Sequence, residues 1–456
     1  MLQDRISDLP DSLIHEILSH LEMKDVVKTC VLSTRWKHVW TQISVLNFKQ
    51  RHHIGYRLFD RSVEDFFRFV CCSLALHKCP KIHRIRLSIQ HPTREGNFCN
   101  EQIHGLIHFA IARKARELKL DISYPYVLNL SLLEMGSLEV LKLHLCTLKL
   151  PPPAFKGFKN LKTMSLLGVS FNGGNVGELL ACCPILESLT VIDCHDDIRI
   201  HVSSSNRQLK HLSLKGEHKL DICAPNLLSL DISMPINTFN YSLVTSSSQT
   251  NVCLDLYLEL YWVIAITISE VRVMQKILKD VHRARVLELY STCIQVLSMC
   301  ELEQLSSPIS MHKCLVLNSA LGKWELPGIA CLLRSSPDLE SLLDQTFMDK
   351  HEYVIEGYLE SQFSCLLHHL KTIKISGFTK GMFRINNSKN KIKLVKVLLK
   401  HAVVLEKMTI QITHIPNYSC DKVNLSRLLL KLERKFQAFK KASTHAEILF
   451  SYDFDE

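Results

Sequence analysis

Between residues 9 and 40 the apolar positions fall at helical offsets. Leu9-Pro10-Asp11 reads as a helix start, because proline suits the first turn and an early carboxylate suits the positive end of the helix dipole. Leu13, Ile14, Ile17, Leu18 and Leu21 then form a stripe about 140° wide, with Ser12, His15, Glu16 and Ser19 opposite. Val26, Val27, Cys30 and Val31 repeat the offsets on a second short helix. Ser33 is placed to cap a third, which carries Trp36, Val39 and Trp40 on one side. Three helices this short bury too little surface to stand alone easily. Pattern alone leaves two readings open. The stripes pack on one another and on the following domain, or another protein completes part of their surface, with the tryptophans as anchors.

From residue 82 the rhythm changes to LxxLxL. A loose copy, Ile82/Ile85/Leu87, precedes Ala115/Leu118/Leu120, Leu138/Leu141/Leu143, Leu161/Met164/Leu166, Leu186/Leu189/Val191, Leu209/Leu212/Leu214 and Leu227/Leu230/Ile232. The last six start 23, 23, 25, 23 and 18 residues apart, close to the roughly 20–29-residue period of leucine-rich repeats. Each repeat offers one strand whose leucines are covered only when neighbours stack, which predicts a solenoid with a parallel sheet on its concave face. Cys146 and Cys194 fill the turn position after their strands and are expected to be structural plugs. Irregular copies follow at Ala284/Leu287/Leu289, His312/Leu315/Leu317, Leu339/Leu342, Leu370/Ile373/Ile375 and Leu405/Met408/Ile410, with helices such as 269–280 between them. LYWVIAITIS at 260–269 reads as a buried strand and TSSSQTN at 245–251 as a surface loop.

In this register the residues between the core leucines face the concave side. One row reads Lys119, Lys142, Ser165, Thr190, Ser213, Asp231, and the next reads Asp121, His144, Leu167, Ile192, Lys215, Ser233. Lys142, His144, Leu167, Thr190, Ile192 and Lys215 are therefore the candidate target-binding residues. Leu167 and Ile192 form an apolar patch among them, and a slip of one residue would bury both.

The run DRISDLPDSLIHEILSHLEMKDVVKTCVLSTRWKHVW resembles an F-box in the form common in plants, with its leucine-proline start, apolar helix, Val-Leu-Ser turn and paired-tryptophan helix. The resemblance covers residues 4–41 without a gap; Cys30 and Glu22 stand where the family often has serine or alanine and proline. It implies docking on the Skp-type adaptor of an SCF ubiquitin ligase through Leu9, Pro10, Ile14, Leu18, Leu21, Val27, Val31, Trp36 and Trp40. CLLHHLKTIKISGF at 365–378 with LVKVLLKHAVVLEKMTIQI at 394–412 resembles the FBD domain, a strand, loop, helix and strand that follow leucine-rich repeats in many plant F-box proteins. Its loop, TKGMFRINNSKNKIK, departs from the family in being basic.

The expected fold is α/β: a three-helix F-box (1–48), a helical linker or cap (49–81), an irregular leucine-rich-repeat solenoid with helices or loops outside (82–360), an FBD unit (361–412), and a capping helix with tail (413–456). That final helix, expected over 421–441, would bury Leu425, Leu428, Leu432, Phe436 and Phe439.

Composition adjusts this picture in three places. With 46% hydrophobic and 22% charged residues the chain is of globular type. Residues 381–442 hold fourteen Lys/Arg against three Asp/Glu, so the net charge of +10 is concentrated there, with no aromatic interleaving or motif that would indicate nucleic acid. An N-terminus without an apolar segment, and seventeen cysteines without a CxxC pair, lead to the expectation of reduced thiols in the nucleus or cytoplasm, with no membrane association. HExxH, GxSxG, a phosphate-binding GxxxxGK[ST] and GxGxxG after a strand are all missing, and the histidines are scattered. No catalytic residue, metal site or cofactor is expected. The chain then reads as a receptor holding a target protein for a cullin-based ubiquitin ligase. Two alternatives remain open: a scaffold that binds without driving degradation, and a receptor needing a small ligand.

Overall fold

The computed structural model describes residues 6, 8–50, 59–89, 96–123, 126–133, 136–149, 157–171, 176–195, 199–203, 206–237, 241–244, 248–258, 266–305, 307–319, 321–322, 324–345, 367–378, 388–413, 430 and 432–453. The chain divides into two compact units, Met1–Ala224 and Pro225–Glu456.

The first unit opens with three helices, α1 (Asp11–Ser19), α2 (Met23–Lys28) and α3 (Trp36–Val39), with single 3-10 turns after α2 and α3. The cap position of α3 is Arg35 rather than Ser33; Ser33, two residues earlier, accepts from the Trp36 N–H through its Oγ at 3.4 Å and from the Lys37 N–H through its carbonyl. Seven parallel strands follow in chain order, at Val45–Lys49, Arg84–Ile89, Glu117–Ile122, Val140–His144, Thr163–Leu167, Ser188–Ile192 and His211–Lys215. Their core rows are in strict register. Leu46, Ile85, Leu118, Leu141, Met164, Leu189 and Leu212 form one row; Phe48, Leu87, Leu120, Leu143, Leu166, Val191 and Leu214 form the other. All fourteen are buried.

The last four of these seven strands are each followed by a residue with positive φ, Leu145, Gly168, Asp193 and Gly216. The first three each donate their N–H to the last strand residue of the next repeat, Leu167, Ile192 and Lys215 respectively. The left-handed turn thus recurs because each repeat must leave the sheet at the same place. Cys146 and Cys194 sit just beyond it, buried, and burial pushes their thiols up to about 12 and about 11. The short returns form narrow outer ladders, pairing Val127–Asn129 with Thr147–Lys149 and Arg199–Val202 with Lys219–Cys223, and have room for no more than short helical segments at Leu130–Leu133 and Val176–Ala181.

The sheet begins earlier than the spacing indicates. Val45–Lys49 already pairs with Arg84–Ile89, so the boundary expected at 48 falls inside the first strand, and the linker helix α4 (Phe59–Leu76) is that strand's return segment. The carbonyls of Thr41 and Ser44 accept from Lys78 and His83, and His77 bonds Ile43 O at 2.9 Å. The N-terminal helices are therefore continuous with the sheet of their own unit.

The second unit holds eight parallel strands, Ser229–Pro235, Asn251–Tyr257, Val286–Tyr290, Cys314–Asn318, Ser341–Asp344, Thr372–Phe378, Lys407–Thr413 and Glu447–Asp453. The five irregular repeat copies lie on five of them. Longer returns carry helices at Ile268–Asp280, Ser291–Leu302, Leu326–Ser335 and Ser388–His401. The first begins in a capping box between Thr267 and Glu270, so residues 268 and 269 open a helix rather than close the expected strand; 259–265 lie outside the described residues. Ser291–Leu302 and Leu326–Ser335 approach so closely that a Cβ on Gly328 would fall 2.1 Å from Ile294 O.

The FBD-like segment is not a separate fold. Its strands continue the ladder, with Ile373 opposite Met408 and Ile375 opposite Ile410, and Val395, Leu398 and Leu399 of the helix Ser388–His401 are buried. Of the final helix, 421–429 lies outside the described residues and 432–437 is helical. Phe436 there stacks on Phe450 at 6.2 Å. Phe450 belongs to Glu447–Asp453, a strand where a tail was expected.

One core position breaks the apolar rule. Asp344 stands in a leucine row, between Leu317 and Ile375, and is buried. Lys391, from the first part of the basic stretch 381–442, is buried as well and donates to Ser376 O at 3.3 Å. Burial pushes its ammonium down to about 8 against the opposing pull of the Asp344 charge. Removing one member of such a pair strands the other charge. Lys391→Met should cost about 3–5 kcal/mol, whereas Lys391→Met with Asp344→Leu should return close to wild-type stability, as read by urea unfolding; equal losses in both variants would contradict the pairing.

Candidate interaction surfaces

The 140° stripe of α1 does not act as one face. Its inner edge, Ile14 and Leu18, is buried, while Leu13, Ile17 and Leu21 on the other edge face solvent, Leu13 at 51%. Val31 (83% exposed) and Leu32 (58%) project from the turn before α3, and Ile6 is exposed ahead of α1. The helices are held in place from inside. Trp36, Val39 and Trp40 are buried, and Arg35 Nη2 donates to Leu9 O at 2.6 Å and to Asp11 Oδ1 at 2.5 Å, joining the starts of α1 and α3. That guanidinium bond keeps the Asp11 carboxyl below the ordinary carboxylate range.

The expected adaptor-binding residues therefore separate into three groups. Ile14, Leu18, Trp36 and Trp40 are buried in the domain's own core and present almost no side-chain surface to solvent. Leu9 and Val27 are half-buried; Pro10, Leu21 and Val31 are exposed. Leu13, Ile17 and Leu32, outside the expected set, are exposed as well. A stripe wider than a single packing face was the only signal that one edge would be left over.

The second surface is the open face of the first unit's sheet. The register sets Asn47, Arg86, Lys119, Lys142, Ser165, Thr190 and Ser213 in one row, and Lys49, Ser88, Asp121, His144, Leu167, Ile192 and Lys215 in the next. All six expected target-binding residues share this face. Leu167 and Ile192 are adjacent on it and half-buried, so the one-residue slip that would hide them does not occur. Two carboxylates divide the positive charge. Glu117 accepts from Arg84 at 2.7 Å and lies 3.6 Å from Lys142. Asp121 bonds His144 Nδ1 at 2.6 Å and accepts from Ser88 at 3.0 Å.

In the second unit the corresponding open face has the opposite sign. Asp231, Cys253, Glu288 and Val316 are neighbours across strands, and Ser233 stands beside Asp255. Burial first, and then Glu288, Asp231 and Asp255, push the Cys253 thiol up to about 12. Cys183, Cys293 and Cys300 are raised to about 12 by burial as well, so these thiols are protonated at neutral pH and poor nucleophiles.

Residues 74–446 match the family model described as the At1g61320/AtMIF1 LRR domain, and residues 6–47 match the F-box domain model. The chain is similar to the F-box/FBD/LRR-repeat protein At5g22700 of Arabidopsis thaliana, 26% identical over 89% of this chain and 91% of that one. It is 33% identical to the F-box/FBD/LRR-repeat protein At5g56420 over 46% of this chain and 49% of that one. With the FBD-associated F-box protein At4g10400 it shares 33% identity over 50% of this chain and 55% of that one; At5g56420 and At4g10400 are likewise proteins of Arabidopsis thaliana.

The division of the α1 stripe has a direct consequence for stability. Trp36→Ala should lower it by about 3–5 kcal/mol, while Ile17→Asp should change it by less than about 0.5 kcal/mol. Urea unfolding followed by tryptophan fluorescence distinguishes them, and a loss at Ile17 comparable to that at Trp36 would place Ile17 in the core.

Proposed function

This chain belongs to the plant F-box/FBD/leucine-rich-repeat family, and from that premise we propose that it is the target-recognition subunit of an SCF-type ubiquitin ligase. Members are built from interaction modules that are generally non-catalytic, and F-box domains as a class bind Skp-type adaptors. One observation carries the finer reading: solvent-facing Leu13, Ile17, Leu21, Val31 and Leu32 surround a helical domain whose own core is already filled. Apolar side chains exposed in a series along rigid helices mark a surface that gains free energy when a partner covers it.

The mechanism is tethering. The N-terminal helices dock on the Skp-type adaptor and through it on a cullin, while the sheet face holds a target protein. Holding both in one assembly makes the meeting of the target's lysines with a ubiquitin-charged enzyme intramolecular, which raises the effective concentration without any reacting group from this chain. The reading places the protein in the nucleus or cytoplasm, where such ligases act.

Leu13→Asp with Ile17→Asp introduces two charges where a partner would have to desolvate them, and disturbs no core packing. Co-purification with a Skp-type adaptor should fall at least a hundredfold while the melting temperature stays within about 2 °C, on the small stability effects typical of surface changes. Adaptor capture undiminished in that variant would overturn the proposed interface.

A further inference from the structure

The open face of the first unit holds more positive charge than its carboxylates neutralise. Arg86, Lys119 and Lys142 are direct neighbours on three adjacent strands, and strand spacing sets them about 4.8 Å apart. Glu117 is engaged by Arg84 and Lys142, and Asp121 by Ser88 and His144. Lys119 makes no ion pair among the described residues, and Arg86 Nε is a buried donor without an acceptor. Like charges at this spacing repel one another, and the Lys119 ammonium is pushed down by burial first and by Arg86 and Lys142 next. Folding alone gives no reason for three cations in a line. An anion laid along them would relieve the repulsion.

What lies beside the row narrows the choice of anion. Beyond Lys142, on the next two strands, come Ser165 and Thr190, with Leu167 and Ile192 one row over. This part of the face carries no aromatic side chain on which bases could stack. The basic row extends only about 10 Å before it gives way to the apolar pair, too short for a nucleic-acid backbone or a lipid surface. An extended peptide advances about 3.3 Å per residue and repeats its side-chain direction every second one. Laid across the strands, it would set one side chain between Arg86 and Lys119, the next, about 6.6 Å further on, beside Lys142, and a third, about 13 Å from the first, at Leu167 next to Ile192.

We propose that this face, formed by Arg86, Lys119 and Lys142 with Leu167 and Ile192, seats an extended segment of a partner protein carrying Asp or Glu at positions i and i+2 and an apolar residue at i+4. The proposal deepens the target-recognition reading of the same surface and rests on it. Arg86 and Lys119 stood outside the residues expected to bind a target.

The test is selection from a random dodecapeptide phage library on the full chain bound to a Skp-type adaptor, in parallel with two variants. On the wild type, selected peptides should be at least twofold enriched in Asp and Glu at alternate positions, followed by an apolar residue. Lys119→Gln with Lys142→Gln should abolish the acidic enrichment, and Ile192→Ser should remove the apolar preference while leaving the acidic one. Affinity of a selected peptide should fall at least fivefold between about 50 and 300 mM salt, as screening requires. Should the double variant not fold, Lys119→Gln alone carries the same comparison, because it breaks no ion pair. A pool without acidic enrichment, or one unchanged by folded variants, would overturn the proposal. Adaptor capture is scored on the same samples, so a failed docking interface and a failed peptide site give different results.

Discussion

The apolar side chain of a parallel strand is covered by the strand before it and the strand after it, and that mutual cover organises this protein. Two leucine positions per strand form the rows Leu46 to Leu212 and Phe48 to Leu214 in the first unit, and comparable rows in the second. Because side chains alternate, setting these rows inward also sets the residues between them outward. The return segments adapt to the same constraint. A helix is about 10 Å across and outer strands about 4.8 Å apart, so short returns lie as narrow ladders and longer ones accommodate helices. The left-handed residues at 145, 168, 193 and 216 let each repeat leave the sheet at the same level.

The open face thereby inherits the residues that packing does not use. Charge there is sorted by unit, basic at Arg86, Lys119 and Lys142 and acidic at Asp231, Asp255 and Glu288. An interior row has little tolerance for such residues, yet the second unit buries Asp344 and Lys391 together. The basic count of the C-terminal part therefore overstates its basic surface, since one of those lysines is inside.

The N-terminal helices show the complementary arrangement. Their core is closed by Trp36, Trp40, Ile14 and Leu18 and joined to the first strand through Thr41, Ser44 and His77. With the interior filled, the outer edge of α1 is left exposed, and the tryptophans fix the helices that display Leu13 and Ile17.

The sequence by itself determined the regularly spaced strands and their register, because a period-two pattern repeated every 23 to 25 residues admits one alignment that buries both repeat positions of each strand, and the face of Leu167 and Ile192 followed from it. It did not reveal the strands Val45–Lys49, Asn251–Tyr257 and Glu447–Asp453: the first and last lie outside the regular spacing, and the middle one is entered through the buried hydroxyl of Thr250 rather than a leucine. Only tertiary structure decided which edge of the α1 stripe is exposed, which lysine is buried, and that Arg86 joins Lys119 and Lys142. Each of these depends on what packs alongside a residue from a distant part of the chain, and a local pattern carries no record of that neighbour.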